Sequence, residues 1–329
     1  MLFALASLCL ALAGEPTAPP TIEPGHLYDR IAIVGASASD GFGVIVKEEK
    51  SDTNPRPAAV HLNMTKVLRH AAEAHAVGSA SATGAAPATG DDAPAPIIHH
   101  YASGLFFASP GTVGRGEIDR ALKSKVTLVI ALDYLFWFVY GTVTADGKPM
   151  TEEAERVANL ESGLAQLDRL LAEGVPVVTG TIPDVRDSIG KMLSKAQVPD
   201  PATIVAANAR IAEWVAARPG VRLVPLADIL VTLKTGEPVS LGGTSWDPAK
   251  WGAMLQGDQL HPTFCGTVAL AAGIMMTAAE FDPSSPSPWT LDPEAIKQCA
   301  IAAEKKKPGA TSAPNEPSPS PPTKVIPPQ

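Results

Sequence analysis

Five short apolar runs, separated by amphipathic helical patterns, constrain the fold of this 329-residue chain more than any other feature. The runs lie at residues 31–34, 97–101, 126–132, 175–179 and 221–225. Near-continuous apolar strands are typical of a sheet that is buried on both faces. The clearest helical patterns lie at residues 151–173, 201–217 and 263–279. This alternation predicts a three-layer α/β/α domain with a doubly wound, five-stranded parallel sheet.

Segments outside this alternation differ in composition. Residues 1–14 are apolar and uncharged, which indicates a signal peptide without its usual basic residues or, alternatively, a buried N-terminal helix. The proline-rich linker at 15–24 favours export, because proline would disrupt a core helix. Residues 78–96 are rich in small residues and predict a surface insertion. Residues 306–329 are proline-rich and predict a disordered tail, which leaves one domain over residues 25–305.

Charge and cysteine content exclude several classes of protein. The formal net charge of −8 and the isoelectric point near 5.4 argue against nucleic-acid or anionic-membrane partners. No apolar run reaches the roughly 20 residues that span a bilayer. Cys265 and Cys299 would remain after signal cleavage, either as a disulfide or as two free thiols. The sequence indicates no metal and no organic cofactor, and it leaves the oligomeric state open.

The loop after the first strand carries a candidate nucleophile, Ser37, within the sequence GASASDGFG at residues 35–43. Ligands of doubly wound sheets bind beyond the carboxyl ends of the strands. A dinucleotide fingerprint would need glycine where Ser37 and Asp40 stand, and the Gly-Lys-Ser/Thr ending of a phosphate loop is absent. The remaining interpretations are a serine nucleophile beside backbone N–H groups and an ordinary Ser/Gly turn.

A candidate base for this serine lies near the other end of the predicted domain. A serine nucleophile needs a base, and His261 is the one histidine beyond residue 100. Asp258 precedes it by three residues, a spacing that can bring the carboxylate to the imidazole Nδ1–H and leave Nε2 to take the serine proton. The alternative is an Asp/His pair in a solvated loop.

In combination, these two motifs resemble the SGNH, or GDSL-type, hydrolase family. The Ser37 turn is similar to its nucleophile block, with Ala36 in place of a non-catalytic Asp, and Asp258-x-x-His261-Pro262 is similar to its last block. The absence of Gly-x-Ser-x-Gly counts against the ordinary α/β-hydrolases. The resemblance implies a flavodoxin-like fold and a catalytic triad of Ser37, His261 and Asp258. It also implies an esterase or acylesterase that hydrolyses or transfers the acyl group of a small-molecule or glycan ester, and the N-terminal segment predicts that this enzyme is exported.

The resemblance further implies an oxyanion hole built from the N–H groups of Ser37 and Gly104. The family's third donor is an Asn after the third strand, where this chain has Asp133. A carboxylate cannot donate, so Asp133 is expected to be protonated, to orient another donor such as the Trp137 N–H, or to be structural. Because a lost donor costs about 2.7–4 kcal/mol, the alternative function is a weakly active or inactive cell-surface binding or structural protein.

Aromatic residues concentrate near this unusual loop. Five of the seventeen aromatics lie in residues 134–140, among them Tyr134 and Trp137, and Phe106 follows Gly104 closely. These side chains predict either core packing or the wall of a substrate pocket. Two further aromatics precede Asp258 and are candidates for the same cleft, namely Trp246 and Trp251.

Overall fold

A computed structural model describes residues 25–50, 54, 57–83, 95–284 and 288–306. Within helix residues 79–83 it describes the backbone alone. The predicted signal peptide and linker, and all of the predicted tail beyond residue 306, lie outside the described residues.

The described part of the chain forms nine strands and ten α-helices. The strands are β1 (Arg30–Ile33), β2 (Ile45–Lys47), β3 (Ala59–His61), β4 (Ile97–His100), β5 (Leu128–Ala131), β6 (Val177–Gly180), β7 (Val221–Val224), β8 (Val239–Leu241) and β9 (Thr244–Trp246). The helices are α1 (Ser37–Asp40), α2 (Met64–Thr83), α3 (Pro110–Lys123), α4 (Phe136–Val139), α5 (Glu153–Ala172), α6 (Pro201–Ala216), α7 (Leu226–Thr235), α8 (Pro248–Trp251), α9 (Phe264–Ala279) and α10 (Pro293–Lys305).

A five-stranded parallel sheet lies at the centre, with the spatial order β4-β1-β5-β6-β7. The register pairs Ile31 with Ile98 on one side and with Leu128 on the other. Numbered within the sheet alone, this is the order 2-1-3-4-5 of flavodoxin-like doubly wound folds. Each of the five apolar runs in the sequence supplies one strand. The predicted strands, their parallel arrangement and the fold class are confirmed.

Helices cover both faces of the sheet. Successive residues of β1 point to opposite faces, so Ile31 and Ile33 join one hydrophobic core while Ala32 joins the other. The first core includes buried residues of α2, α9 and α10, and the second includes those of α3, α5 and α6. Helix α9 is buried around most of its circumference, which explains why its sequence is apolar on nearly every side.

Several details extend or refine the sequence-based expectations. Helix α2 continues to Thr83, so the first residues of the small-residue segment at 78–96 are helical, as their alanines favour. Cys265 and Cys299 are free thiols, and burial raises the pKa of each. Two short antiparallel hairpins, β2–β3 and β8–β9, flank the central sheet and were not predicted. Among the described helices, none combines the length and apolarity needed to cross a bilayer.

Candidate active site

Ser37 begins the single helical turn α1, directly beyond the carboxyl end of β1. Gly35 has a φ of 136°, and a Cβ added there would lie 2.2 Å from Asp133 Oδ1, so the approach requires glycine. The turn ends at Gly41, whose φ of 77° is the left-handed conformation that commonly ends helices. The conformations of these two glycines allow the turn that carries Ser37 to lie at the edge of the sheet where doubly wound folds bind ligands.

The structure brings the three predicted triad residues together. Ser37 Oγ lies 2.8 Å from His261 Nε2, although 224 positions separate the two residues. His261 Nδ1 lies 2.7 Å from Asp258 Oδ2. The second carboxylate oxygen, Oδ1, accepts the N–H groups of Leu260 at 2.9 Å and His261 at 3.0 Å. The carboxylate therefore orients the ring and also closes the turn that carries it.

The electrostatics of this turn fix the proton positions. Burial opposes ionisation of Asp258, but the hydrogen bonds from the His261 N–H, its ring and the Leu260 N–H outweigh it, and the pKa of the carboxyl lies below its usual range. The ionised carboxylate of Asp258 accepts a hydrogen bond from Nδ1–H, which leaves Nε2 as the acceptor for the Ser37 hydroxyl. His261 is 2% exposed, and Phe42 packs against its ring with centroids 4.5 Å apart.

Asp133 supports the nucleophile turn and does not supply an oxyanion donor. Its Oδ1 accepts the Ala36 N–H at 3.0 Å and the Ser39 hydroxyl at 2.6 Å. Its Oδ2 accepts the N–H groups of Ala38 at 2.9 Å and Ser39 at 3.2 Å. Because both oxygens are engaged from one side by the turn, the predicted oxyanion role is wrong, and the structural alternative describes this residue. Burial raises the pKa of Asp133, although these hydrogen bonds oppose that shift.

A second buried carboxyl, Glu117 of α3, lies beneath the same turn. Its Oε2 accepts the Gly35 N–H at 2.7 Å, while Oε1 is buried without a hydrogen-bond partner among the described residues. Burial, with a smaller contribution from the nearby charge of Asp133, raises the pKa of Glu117 to about 9. Glu117 is therefore protonated at neutral pH, which lowers the cost of burying it.

The second predicted oxyanion donor is also engaged. The Gly104 N–H donates to Asp40 Oδ2 at 2.9 Å, and Asp40 Oδ1 lies 2.8 Å from His100 Nε2. The expectation that the Gly104 N–H faces an oxyanion is therefore wrong for this conformation, because Asp40, at the end of α1, already accepts a hydrogen bond from that N–H. Among the described residues, the N–H of Ser37 and the indole N–H of Trp137 have no hydrogen-bond acceptor.

A pocket opens beside Ser37 and His261, and Trp137 lines it as predicted. Tyr134 and Phe106, the other two predicted pocket residues, are fully buried and pack edge to face with ring centroids 5.2 Å apart. Those two predictions are wrong, because both rings fill the core between α3 and the loop after β5. Trp246 is likewise fully buried and donates its indole N–H to the Leu241 carbonyl, away from the pocket lining.

Sequence reasoning missed the contributions of Glu117, Ser39 and the Asp40–His100 pair. The signal for Glu117 is its position on the buried face of α3, in register with Gly114 and Ala121. An acid on an apolar face indicates a buried partner. The remaining contacts join residues far apart in the chain and carry no local signal. No cluster of three or more metal-ligating side chains occurs within the described ranges.

Comparisons with known proteins add fold-level likenesses only. No protein-family model matches the chain, and no curated protein matches it. Among solved structures, an alpha/beta hydrolase enzyme from the metagenome of Lake Arreo is 13% identical, with 78% of this chain and 98% of that chain covered and a TM-score of 0.44.

Two further solved structures are similar at the same low level. TesA is 18% identical over 77% of this chain and 98% of that chain, with a TM-score of 0.39. A variant of Axe2, an acetyl xylan esterase from Geobacillus stearothermophilus, is 13% identical over 76% and 94%, with a TM-score of 0.39. Likenesses this distant support no assignment of function, which rests on the geometry around Ser37.

Proposed function

We propose that this chain is an exported serine esterase of the SGNH type. The observation that carries the proposal is the continuous hydrogen-bond chain from Ser37 Oγ through both ring nitrogens of His261 to Asp258. Nucleophile, base and orienting acid at these distances are the parts that acyl transfer requires. Export is supported by the apolar residues 1–14 and the proline-rich segment that follows them.

In this proposal the reaction has two halves. Ser37 Oγ attacks the ester carbonyl carbon while His261 Nε2 takes the hydroxyl proton, and the tetrahedral intermediate collapses by breaking the bond to the alcohol oxygen. The imidazolium returns its proton to the departing alcohol, leaving an acyl-enzyme. Water, or an acceptor alcohol, then repeats the sequence at the acyl carbon and restores the Ser37 hydroxyl. Asp258 remains ionised throughout and stabilises the imidazolium.

The oxyanion is held differently in this proposal than the family resemblance implies. The Ser37 N–H is the first donor, since the first residue of a helix has no intrahelical acceptor. Trp137 lines the pocket, and its indole N–H is the second candidate donor. The Gly104 N–H becomes available only if Asp40 releases it. A hole with one donor fewer predicts a rate about 10²–10³ below that of a complete one.

A second candidate function is a binding or structural protein of the same fold. Two observations favour it: the Gly104 N–H already donates to Asp40, and the carboxylate oxygens of Asp133 accept hydrogen bonds from the turn that carries Ser37. Both features remove groups that would stabilise an oxyanion. In that case the Ser37–His261 contact would persist without turnover.

Ester hydrolysis by the mature protein distinguishes the two functions. We expect hydrolysis of p-nitrophenyl esters by the wild type and its loss, by about 10⁴-fold or more, in Ser37→Ala and His261→Ala. Ser240→Ala and His75→Ala are matched controls of the same side-chain types away from the triad, and they are expected to retain activity.

Two outcomes would contradict the esterase proposal. Activity that survives both triad substitutions would place the chemistry elsewhere in the molecule. A wild type that hydrolyses no ester and takes no label from a serine-directed phosphonate would favour the binding protein, provided that its circular dichroism shows a folded chain.

A further inference from the structure

The pocket beside the triad is almost entirely apolar. Among its lining residues in the described part of the chain, polar side-chain groups are carried by Ser37, Asp133 and His261 and, through its indole N–H, by Trp137. Asp133 directs both of its oxygens to the Ser37 turn, so it offers no group to a ligand in the pocket. An occupant therefore meets the polar atoms of Ser37 and His261 and, over the rest of the lining, mainly apolar side chains.

Helix α7 supplies one wall of this pocket. The wall is built from residues at helical spacing on a single face, namely Leu226, Ile229, Leu230 and Leu233. Together these positions extend about 10 Å along the helix axis. The segment that follows β5 also contributes to the lining, through Phe136 and Trp137 of α4. The apolar face of α7 is thus comparable in length to a medium-length aliphatic chain, and Ser37 lines the same pocket.

The two halves of the proposed reaction decide which part of an ester occupies this space. The alcohol must leave before the second half begins, whereas the acyl group stays bonded to Ser37 Oγ through both halves. A recess lined by apolar walls therefore suits the group that stays. Phe42, which packs on the His261 ring, is 47% exposed and lies outside the pocket lining.

We infer that the substrates are esters of aliphatic fatty acids, longer than acetate, whose acyl chain occupies the pocket between α7 and the loop after β5. The inference rests on the proposed function, because it assigns the acyl group that Ser37 carries. It also excludes acids whose acyl group bears hydroxyl or charged groups, since such groups would lie unpaired against leucine and aromatic side chains.

Chain-length dependence tests the inference. With p-nitrophenyl esters from acetyl to decanoyl, we expect kcat/KM to rise by up to about fourfold for each added methylene until the pocket is filled, and then to fall. In a second series, acetate esters of aliphatic alcohols of increasing length, we expect no comparable rise. A maximum at acetyl, or a rise with alcohol length instead of acyl length, would overturn the inference.

Two substitutions on α7 localise the effect. Leu233→Trp places a larger ring in the pocket and is expected to move the optimum of kcat/KM to shorter acyl chains. Val231→Trp is the matched control, because Val231 is 63% exposed on the same helix and lies outside the lining. Leu233→Ala is a milder companion that should favour the longest chains. The placement of the acyl chain against α7 would be contradicted if folded Leu233→Ala showed the same dependence of kcat/KM on acyl-chain length as the wild type and Val231→Trp.

Failure of this inference is distinguishable from failure of the proposed function. Hydrolysis that depends on Ser37 but peaks at acetyl would leave the esterase proposal standing and refute the acyl pocket. Absence of any Ser37-dependent hydrolysis across both ester series would refute both. Thermal unfolding of each variant separates a change in chain preference from a loss of folded protein.

Discussion

Two aspartate–histidine pairs lie on either side of the short turn that begins at Ser37. In the first, His261 Nδ1 is 2.7 Å from Asp258, and in the second, His100 Nε2 is 2.8 Å from Asp40. The carboxylate–imidazole distances are nearly equal. The two pairs nevertheless differ in every property that matters for catalysis, so the contact between acid and ring is not what defines a catalytic base.

The second nitrogen of each ring and its exposure make the difference. His261 is 2% exposed and turns Nε2 toward the Ser37 hydroxyl. The side chains of His100 and Asp40 are 29% and 37% exposed. The Nδ1 of His100 faces the Thr65 hydroxyl at 3.1 Å, and Asp40 accepts a backbone N–H. In the proposed function the first pair activates the Ser37 hydroxyl, whereas the second connects α1 to the segments around Thr65 and Gly104.

Removing each ring in turn produces the largest expected contrast. We expect His261→Ala to lower kcat/KM for ester hydrolysis by about 10⁴-fold or more, because Ser37 then has no base. We expect His100→Ala to lower it by less than about tenfold, because exposed ion pairs contribute about 0–1 kcal/mol. Steady-state kinetics on both purified variants measure the two effects. Similar losses of kcat/KM in the two variants would contradict the distinction between His261 and His100.

Neutralising each acid gives the next largest contrast. Asp258→Asn is expected to lower kcat by about 10⁴-fold, since an amide no longer holds the Nδ1–H tautomer. Asp40→Asn keeps an oxygen for the Gly104 N–H and is expected to change kcat only severalfold. The pH–rate profile is a useful companion measurement. Full activity of Asp258→Asn would show that Asp258 merely closes the turn.

A third prediction concerns Glu117, which lies beneath the turn that begins at Ser37, and the dependence of the free energy of unfolding on pH. The folded pKa of Glu117, about 9, lies above its unfolded value of 4.5. Its protonated form is therefore favoured in the native state, and stability falls as pH rises from about 4.5 to 9, by up to about 1.4 kcal/mol per pH unit. Glu117→Gln should flatten this dependence and be more stable than wild type at pH 8.5.

Urea unfolding at pH 5.5 and pH 8.5 measures that effect. The acceptor for the Gly35 N–H is retained by the glutamine amide, so the two proteins should have similar free energies of unfolding at the lower pH. Parallel pH dependence in wild type and variant would mean that Glu117 is ionised in the folded protein.

The smallest predicted effect concerns Asp133. Asp133→Asn replaces one carboxylate oxygen by an NH₂ group. Whichever oxygen is replaced, the NH₂ group faces donors from the turn and leaves two of them without an acceptor. We expect the free energy of unfolding to fall by about 1–3 kcal/mol, measured in urea. A variant that is more stable and also faster would show that the carboxylate impairs the oxyanion site without supporting the turn.

The parts of the fold and site that sequence predicted have local or periodic signals. The central strand β5 is apolar and buried at all four positions, as burial on both faces of a sheet requires. Asp258 and His261 are three residues apart, so one turn brings them into contact. Ser37 could be placed at the sheet edge because strand β1 is short, apolar and ended by a glycine.

The parts that sequence missed depend on how distant segments meet. The Gly104 N–H is engaged because α1 delivers Asp40 to it across 64 positions. Asp133 meets the turn across 94 to 97 positions, and its role follows from which atoms face it. Tyr134 and Trp137 are neighbours in one aromatic run, yet one lies in the core and one in the pocket, because packing decides where each ring points.

The most direct test of the account locates the activated serine. A fluorophosphonate should modify Ser37 in the wild type and in His100→Ala, and the peptide that carries the label can be identified by mass spectrometry. In His261→Ala the label on Ser37 should be lost, because the nucleophile no longer has a base. Label on another serine, or equal modification of Ser37 in all three proteins, would contradict the claim that the Asp258–His261 pair activates it.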